Sequence, residues 1–129
     1  LDGCRLAETG LPSGLDGLFD CVLLDAPCSG TGTMRRHPEI VSTLTPEGVS
    51  ELAQLQARLL AAAASRVAPG GHLVYATCSV LAEENERVVD AFLESPPGAV
   101  FSRSRDDLQT VPVSGSCDGH YCAVLKRGF

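Results

Sequence analysis

Two short apolar runs have the length and composition of buried strands. Phe19–Asp25 (FDCVLLD) ends at Ala26-Pro27, and His72–Ala76 (HLVYA) follows Pro69-Gly70-Gly71. Apolar residues occupy successive positions in both runs, which is typical of parallel strands buried on both faces. We therefore predict two central parallel strands, and we expect Cys21, inside the first run, to be a reduced and buried thiol.

A helix is predicted between these two runs. Thr45 can cap its start, Pro46 suits the first helical position, and Glu47 lies in the first turn. Apolar residues then recur at spacings of three and four as far as Val67, which gives the helix one apolar face. The Pro-Gly-Gly at 69–71 is predicted to end it. Strand, helix and strand in this order form a βαβ unit, and its crossover is expected to be right-handed.

The second half of the chain predicts fewer regular elements. A second helix fits Glu83–Leu93, because its apolar residues form one stripe and Pro96-Pro97 follow it. A strand is predicted near Ala99–Ser102, within an otherwise loop-like stretch. His120–Leu125 (HYCAVL) predicts a final strand that runs antiparallel to the first two.

Length and composition indicate one small α/β domain. The chain has 129 residues, of which 44% are hydrophobic and 5% aromatic, so its core is expected to be aliphatic. No apolar run approaches the roughly 20 residues that span a bilayer. The first residues, LDGCRLAETG, do not have the pattern of a signal peptide. We expect a cytoplasmic protein without a membrane partner.

Cysteine spacing argues against a metal site, and the net charge does not by itself identify a binding partner. None of the six cysteines has the C-x-x-C spacing of a zinc or redox site, so no metal is expected. The net charge of −6 does not by itself favour nucleic-acid binding, which needs Lys and Arg against phosphates. The basic cluster Arg35-Arg36-His37 is, on charge alone, better explained as a solvated loop.

Candidate chemistry lies at the ends of the two predicted strands. Asp25 closes the first strand, Cys28 follows three residues later, and Cys78 comes directly after Thr77 at the end of the second. Ligands of open α/β sheets bind beyond the carboxyl ends of the parallel strands. Two thiols and a carboxylate are therefore expected at one edge, although each alone also suits a structural role: a buried thiol, or an aspartate that caps a turn.

Two other cysteine chemistries fit the spacing poorly. A thiol-phosphatase loop has five residues between its Cys and Arg, whereas six separate Cys28 from Arg35. A Cys–His hydrolase needs a positioned imidazole, and none of the three histidines, His37, His72 and His120, has an obvious claim to that role. The chain also lacks a G-x-x-x-x-G-K-[ST] phosphate loop.

Four longer stretches occur in a distinctive order: FDCVLLDAPCSGTGTMRRHPEI, LAQLQARLL, GGHLVYATCSVLAEENERVV and DGHYCAVLKR. Together they resemble the Sun/Fmu-type RNA cytosine-5 methyltransferases, densely over residues 19–94 and more loosely over 118–127. The resemblance implies a partial Rossmann-like fold, with parallel strands and a final antiparallel strand. It also implies S-adenosyl-L-methionine as cofactor and RNA, rRNA rather than tRNA, as substrate. The chain would be the C-terminal portion of a class I methyltransferase catalytic domain.

The same resemblance implies a role for four residues. Cys78 would be the nucleophile that attacks C6 of cytosine, and Cys28 would assist release of the methylated product. Asp25 would lie between the methionine end of the cofactor and the target base. Asp2 would contact the adenosine part of the cofactor. The Gly-rich cofactor loop of the family and the acidic residue after its second strand are not found in this sequence.

Two further expectations follow from the missing cofactor loop. This 129-residue chain is expected to bind S-adenosyl-L-methionine weakly or not at all, and to be inactive alone. The strand at 19–25 would have an open apolar edge, so the chain is expected to self-associate. The alternative to an enzyme is a non-catalytic, methyltransferase-like binding module, and the presence of both Cys28 and Cys78 favours the enzyme.

Overall fold

The computed structural model describes residues 17–113 and 117–129, so the predicted cofactor contact Asp2 lies outside the described residues. Within these ranges no helix is long and apolar enough to cross a membrane. Short 3-10 helices occur at Thr31–Thr33 and Pro96–Gly98. The strands and helices, in chain order, are β1 (Phe19–Asp25), α1 (Ile40–Thr43), α2 (Pro46–Ala64), β2 (Val67–Thr77), α3 (Glu86–Glu94), β3 (Phe101–Arg103), β4 (Leu108–Thr110) and β5 (His120–Arg127).

One sheet joins the five strands. Its order is β1-β2-β5-β3, and β4 also pairs with β5. β1 and β2 are parallel, with Leu23 opposite Val74 and Asp25 opposite Ala76. β5 runs antiparallel to β2, with Thr77 opposite Tyr121. The predicted parallel pair, its helical connection and the antiparallel final strand are therefore confirmed.

The core lies between the sheet and the two longer helices. Alternate residues of β2 point to the same face, and Leu73 and Tyr75 are fully buried there. Leu60 of α2 and Val89 of α3 are also fully buried, and all belong to one apolar cluster. The predicted aliphatic character is confirmed, with the edge-to-face pair of Tyr75 and Tyr121 as an aromatic addition.

β1 is much less buried than its apolar sequence predicts. Leu24 is its one buried residue, Leu23 is 66% exposed, and Cys21 is exposed. The expectation of a strand buried on both faces is wrong for β1, and so is the expectation of a buried thiol at Cys21. Side chains alternate between faces along a strand, so Cys21 and Leu23 lie on the face opposite the helices that cover Leu24.

The helix boundaries differ from prediction at three of their four ends. α2 begins at the predicted Pro46, but it ends at Ala64 and not at the Pro-Gly-Gly at 69–71, which lies within β2. The reason is that Val67, fully buried, already pairs with Phe19, and the β1–β2 register shifts before Cys21 pairs with His72. α3 begins at Glu86, because residues 83–85 form a turn, and it ends at Glu94.

Candidate active site

The two thiols predicted at the carboxyl edge of β1 and β2 are in contact. The Sγ atoms of Cys28 and Cys78 are 3.2 Å apart, and both residues are partly buried. Cys28 lies in the loop that follows β1, and Cys78 directly follows β2. The predicted convergence of the two cysteines is therefore confirmed, although their chemical roles remain predictions.

Asp25 lies at the same edge of the sheet. It is the last residue of β1 and stands opposite Ala76, two residues before Cys78. Ala26 continues the contact between the strands, because its backbone N–H donates to the carbonyl of Ala76 at 2.8 Å. Asp25 is exposed, so its carboxylate is accessible to a ligand at the edge where parallel sheets bind their ligands.

Burial and the neighbouring thiol keep Cys28 protonated. The pKa of Cys28 is raised to about 12, mainly by burial, and the hydrogen bond to Cys78 and the charge of that neighbouring group contribute to the same rise. At neutral pH Cys28 is therefore a thiol, able to donate a hydrogen bond to the sulfur of Cys78.

A buried carboxylate that the sequence analysis missed connects the two cysteine loops. Glu84, in the turn before α3, is fully buried. Its Oε1 accepts a hydrogen bond from the backbone N–H of Ser29 at 2.8 Å, and its Oε2 accepts one from the hydroxyl of Ser29 at 2.6 Å. The hydroxyl of Ser79 also donates to Oε2. Ser29 follows Cys28 directly and Ser79 follows Cys78, so one side chain binds both loops.

Gln56 of α2 supports the same arrangement from the helix side. Its Nε2 donates to the carbonyl of Pro27 at 2.8 Å and to Oε1 of Glu84 at 3.2 Å. The sequence does contain a signal for this residue, because Gln56 lies between Leu52 and Leu59 on the apolar face of α2. A polar side chain buried within such a face needs a hydrogen-bond partner.

The backbone also fastens the Cys28 loop to the end of β2 and to β5. The N–H of Gly32 donates to the carbonyl of Cys78 at 2.9 Å, and the N–H of Gly119 donates to the carbonyl of Gly32 at 2.8 Å. A Cβ atom at Gly32 would overlap the carbonyl group of Gly119. Only glycine therefore allows these two backbones to approach so closely. Gly30 lies in the left-handed region, with φ 73°.

The basic cluster forms a partly solvated surface next to this site. The side chains of Arg35 and Arg36 are exposed, and both contact the carboxylate of Asp118. The hydrogen bond from Arg36 is the main cause that lowers the pKa of Asp118. His37 is also exposed and contacts Glu39. The prediction of a solvated loop is confirmed for all three basic residues.

Comparison with known proteins identifies the family. The family model described as "16S rRNA methyltransferase RsmB/F" matches residues 6–126. The chain belongs to this family. It is 48% identical over 113 residues to the ribosomal RNA small subunit methyltransferase B of Salmonella newport, a match that covers 84% of the chain and 26% of that relative. The chain therefore spans about a quarter of the length of the curated relatives that it matches.

Solved structures share the fold of this RsmB/F chain. "Crystal Structure of PH0851" matches 84% of the chain and 26% of that protein, at 37% identity and a TM-score of 0.75. NSun6 from Pyrococcus horikoshii, solved with SFG, matches 98% of the chain and 33% of that protein, at 24% identity and a TM-score of 0.76. The resemblance to Sun/Fmu-type methyltransferases and the Rossmann-like fold are both confirmed.

Proposed function

We propose that this chain is the thiol-bearing, C-terminal part of a class I methyltransferase catalytic domain that methylates C5 of cytosine in rRNA. The observation that carries the proposal is the 3.2 Å contact between Cys28 and Cys78 beside the accessible Asp25. Membership of the RsmB/F family and the similarity to a ribosomal RNA small subunit methyltransferase support the substrate class.

A thiolate solves the central difficulty of this reaction. C5 of cytosine is a weak nucleophile, and addition of a thiolate to C6 converts the ring into an enamine whose C5 is nucleophilic. Cys78 is assigned this step because it occupies the position of the nucleophile in the Sun/Fmu-type methyltransferases that the chain resembles, and its Sγ lies 3.2 Å from that of Cys28. The new bond joins Sγ of Cys78 to C6, the electron pair of the C5–C6 double bond forms a double bond between C4 and C5, and the C4–N3 pair takes up a proton at N3. C5 is then the nucleophilic carbon of an enamine.

Cys28 is assigned the removal of the C5 proton that permits release. Once Sγ of Cys78 is bonded to carbon, it carries no negative charge. Both causes of the raised Cys28 pKa that depend on Cys78, the hydrogen bond and the charge, then weaken. Cys28 can therefore pass its own proton to water, and the resulting thiolate takes the proton from C5. The electron pair of the C5–H bond restores the C5–C6 double bond, and Sγ of Cys78 leaves as a thiolate.

The described residues fit one side of a cofactor site. S-adenosyl-L-methionine, when bound, supplies the methyl group. Asp25 would face its methionine end, since this carboxylate is accessible at the carboxyl edge of β1. Asp25 would also bind the N3–N4 edge of cytosine and favour the protonated ring that a thiolate attacks. Asp2, outside the described residues, is proposed to contact the adenosine part.

The same geometry limits the RNA that can react. Cys28 and Cys78 are partly buried at the edge of the sheet, so C6 of a base stacked inside a helix cannot reach them. The target cytosine must be unpaired or flipped out of its helix. Arg35 and Arg36, exposed next to the site, are proposed to contact phosphates of the RNA.

The test uses the full-length protein with S-adenosyl-L-methionine and unmodified small-subunit rRNA. We expect the wild-type protein to form 5-methylcytosine, which nucleoside mass spectrometry distinguishes from other methylcytidines. Cys78→Ala is expected to abolish the product. In Cys28→Ala, Cys78 is expected to add to C6 of the cytosine but not to be released from it, so a protein–RNA adduct accumulates on a denaturing gel.

Cys21→Ala is the matched control, because it removes an exposed thiol from β1 on the face opposite the helices. It is expected to retain wild-type activity and to form no stable adduct. Normal methylation by Cys78→Ala would show that the roles are assigned wrongly. Absence of 5-methylcytosine with the wild-type protein would overturn the proposed reaction.

A further inference from the structure

Glu84 is a fully buried carboxylate to which the proposed reaction assigns no step. Among the ion pairs of the described residues, none involves Glu84. Burial of a carboxylate costs free energy unless hydrogen bonds replace its water. A side chain kept at this cost, and hydrogen-bonded to the residues that directly follow both cysteines, calls for a function.

Hydrogen bonds from three residues compensate for that burial. Oε1 accepts from the N–H of Ser29 and from Nε2 of Gln56, and Oε2 accepts from the hydroxyls of Ser29 and Ser79. The backbone of Glu84 is also fixed, because the hydroxyl of Tyr75 donates to its carbonyl at 2.6 Å. Glu84 is therefore held from β2 while it holds both loops.

The position of each sulfur depends on the residue that Glu84 binds. Ser29 and Ser79 directly follow Cys28 and Cys78, and the two loops come from separate strands. A shift of either serine would move the adjacent sulfur with it. Displacement of a reacting group by about 1 Å can cost roughly a hundredfold in rate.

We propose that Glu84 is a positioning residue, which ties the Cys28 loop to the Cys78 loop and so sets the separation of the two sulfurs. The inference rests on the proposed function for its catalytic meaning, but the separation of the thiols is independent of it. Glu84 contacts no reacting atom and acts through Ser29 and Ser79.

Two substitutions distinguish the hydrogen bonds that Glu84 makes to the two loops from its negative charge. Glu84→Ala removes the acceptor of the Ser29 N–H and of both serine hydroxyls, which then retain Oγ1 of Thr31 as a partner, 3.3 Å from Ser29 and 3.1 Å from Ser79. Glu84→Gln keeps one acceptor oxygen, and its amide can donate to the serine hydroxyls, which rotate to accept. Glu83→Ala is the matched control, because Glu83 is the neighbouring glutamate and is exposed in an ion pair with Arg87.

The first measurement quantifies disulfide formation between Cys28 and Cys78 and does not depend on methylation. Full-length protein is equilibrated with glutathione and glutathione disulfide, and the Cys28–Cys78 peptide pair is quantified by mass spectrometry. Formation of the bond between the sulfurs releases two protons, and the two electrons reduce one glutathione disulfide to two glutathiones. We expect the equilibrium constant to fall at least about tenfold in Glu84→Ala, to stay within about threefold in Glu84→Gln, and to be unchanged in Glu83→Ala.

The second measurement is steady-state methylation of rRNA by the same variants. Glu84→Ala is expected to lower kcat about a hundredfold with an RNA KM within about twofold of wild type, because the RNA contacts are intact and only the thiols are displaced. Glu84→Gln is expected to recover most of the loss. If Glu84→Ala instead caused a general loss of folded protein, both the amount of active enzyme and the cooperativity of its thermal unfolding would fall.

Three results would overturn the inference. They are a wild-type glutathione equilibrium in Glu84→Ala, equal losses in Glu84→Ala and Glu84→Gln, and a comparable loss in Glu83→Ala. If Glu84→Ala fails to fold, Ser29→Ala takes its place, and an unchanged equilibrium there would overturn the inference. A wild-type protein that forms no 5-methylcytosine would refute the proposed function, whereas the glutathione equilibrium would still decide the role of Glu84.

Discussion

At the scale of single residues, the site contains a thiol, Cys28, that retains its proton. Cys28 keeps this proton because burial and Cys78 both oppose its ionisation. The residue types could be predicted from the sequence, since Cys28 and Cys78 follow two recognisable strands. Glu84 could not, because its partner Ser29 is 55 residues away in sequence and a glutamate in a charged stretch normally suggests a solvated surface.

The raised pKa of Cys28 predicts a loss of stability at alkaline pH. Between about pH 9 and about pH 12 the unfolded chain releases this proton while the folded chain retains it. The unfolded state then binds fewer protons, so the free energy of unfolding falls as the pH rises. Cys28→Ser does not ionise and is expected to show a shallower fall in urea unfolding measured across that range.

Tyr75 and Tyr121 also have raised pKa values because of burial. Burial, the main cause for both tyrosines, is present in both proteins and cancels in the difference. Cys21→Ser, which removes an exposed thiol, is expected to follow the wild-type curve. Equal slopes for wild type and Cys28→Ser would contradict the assignment of the retained proton.

At the scale of elements, local sequence signals predicted the start of α2 but not the end of α2 or the start of α3. The start of α2 was predicted correctly because Thr45, Pro46 and Glu47 act within a single turn. The end of α2 and the start of α3 were not, since Val67 leaves the helical register to enter a buried strand and residues 83–85 leave it to form the turn of Glu84. Those boundaries depend on tertiary contacts, which local patterns do not contain.

The start of α2 also gives a prediction of stability. The hydroxyl oxygen of Thr45 accepts a hydrogen bond from the N–H of Gly48 at 3.0 Å. Thr45→Ala removes this cap and is expected to lower the free energy of unfolding by about 1 kcal/mol, measured by urea unfolding. Thr45→Asp should retain most of the stability.

Thr43→Ala is the control for that substitution. Thr43 is similarly exposed, but its hydroxyl donates to the carbonyl of Ile40 and caps no long helix. Its expected effect lies within about 0.5 kcal/mol. An equal loss in Thr43→Ala and Thr45→Ala would show that the cap does not stabilise α2.

At the scale of the whole molecule, the sheet has an accessible apolar edge. Within the described residues β1 pairs on one side only, with β2, and Leu23 is 66% exposed. An accessible apolar strand of this kind pairs readily with another chain. We predict that the 129-residue chain self-associates, and that Leu23→Lys increases the monomer fraction in light scattering by placing a charge on this strand.

Val41→Lys is the matched control for this experiment. Val41 is also 66% exposed, but it lies in the short helix α1 and not in a strand of the sheet. The same lysine there is expected to leave self-association unchanged. A wild-type chain that stays monomeric at high concentration would contradict the argument from the accessible edge.

The contact between Gly32 and Gly119 is made late in synthesis. The ribosome produces the chain from its N-terminus, so β5, which lies between β2 and β3 in the sheet, emerges after both cysteine loops have been made. Until β5 docks, the Cys28 loop lacks its backbone partner at Gly119. A contact so distant in sequence forms slowly. The nascent chain can therefore bring its two thiols together through the β1–β2 pair before the Cys28 loop gains this last backbone contact.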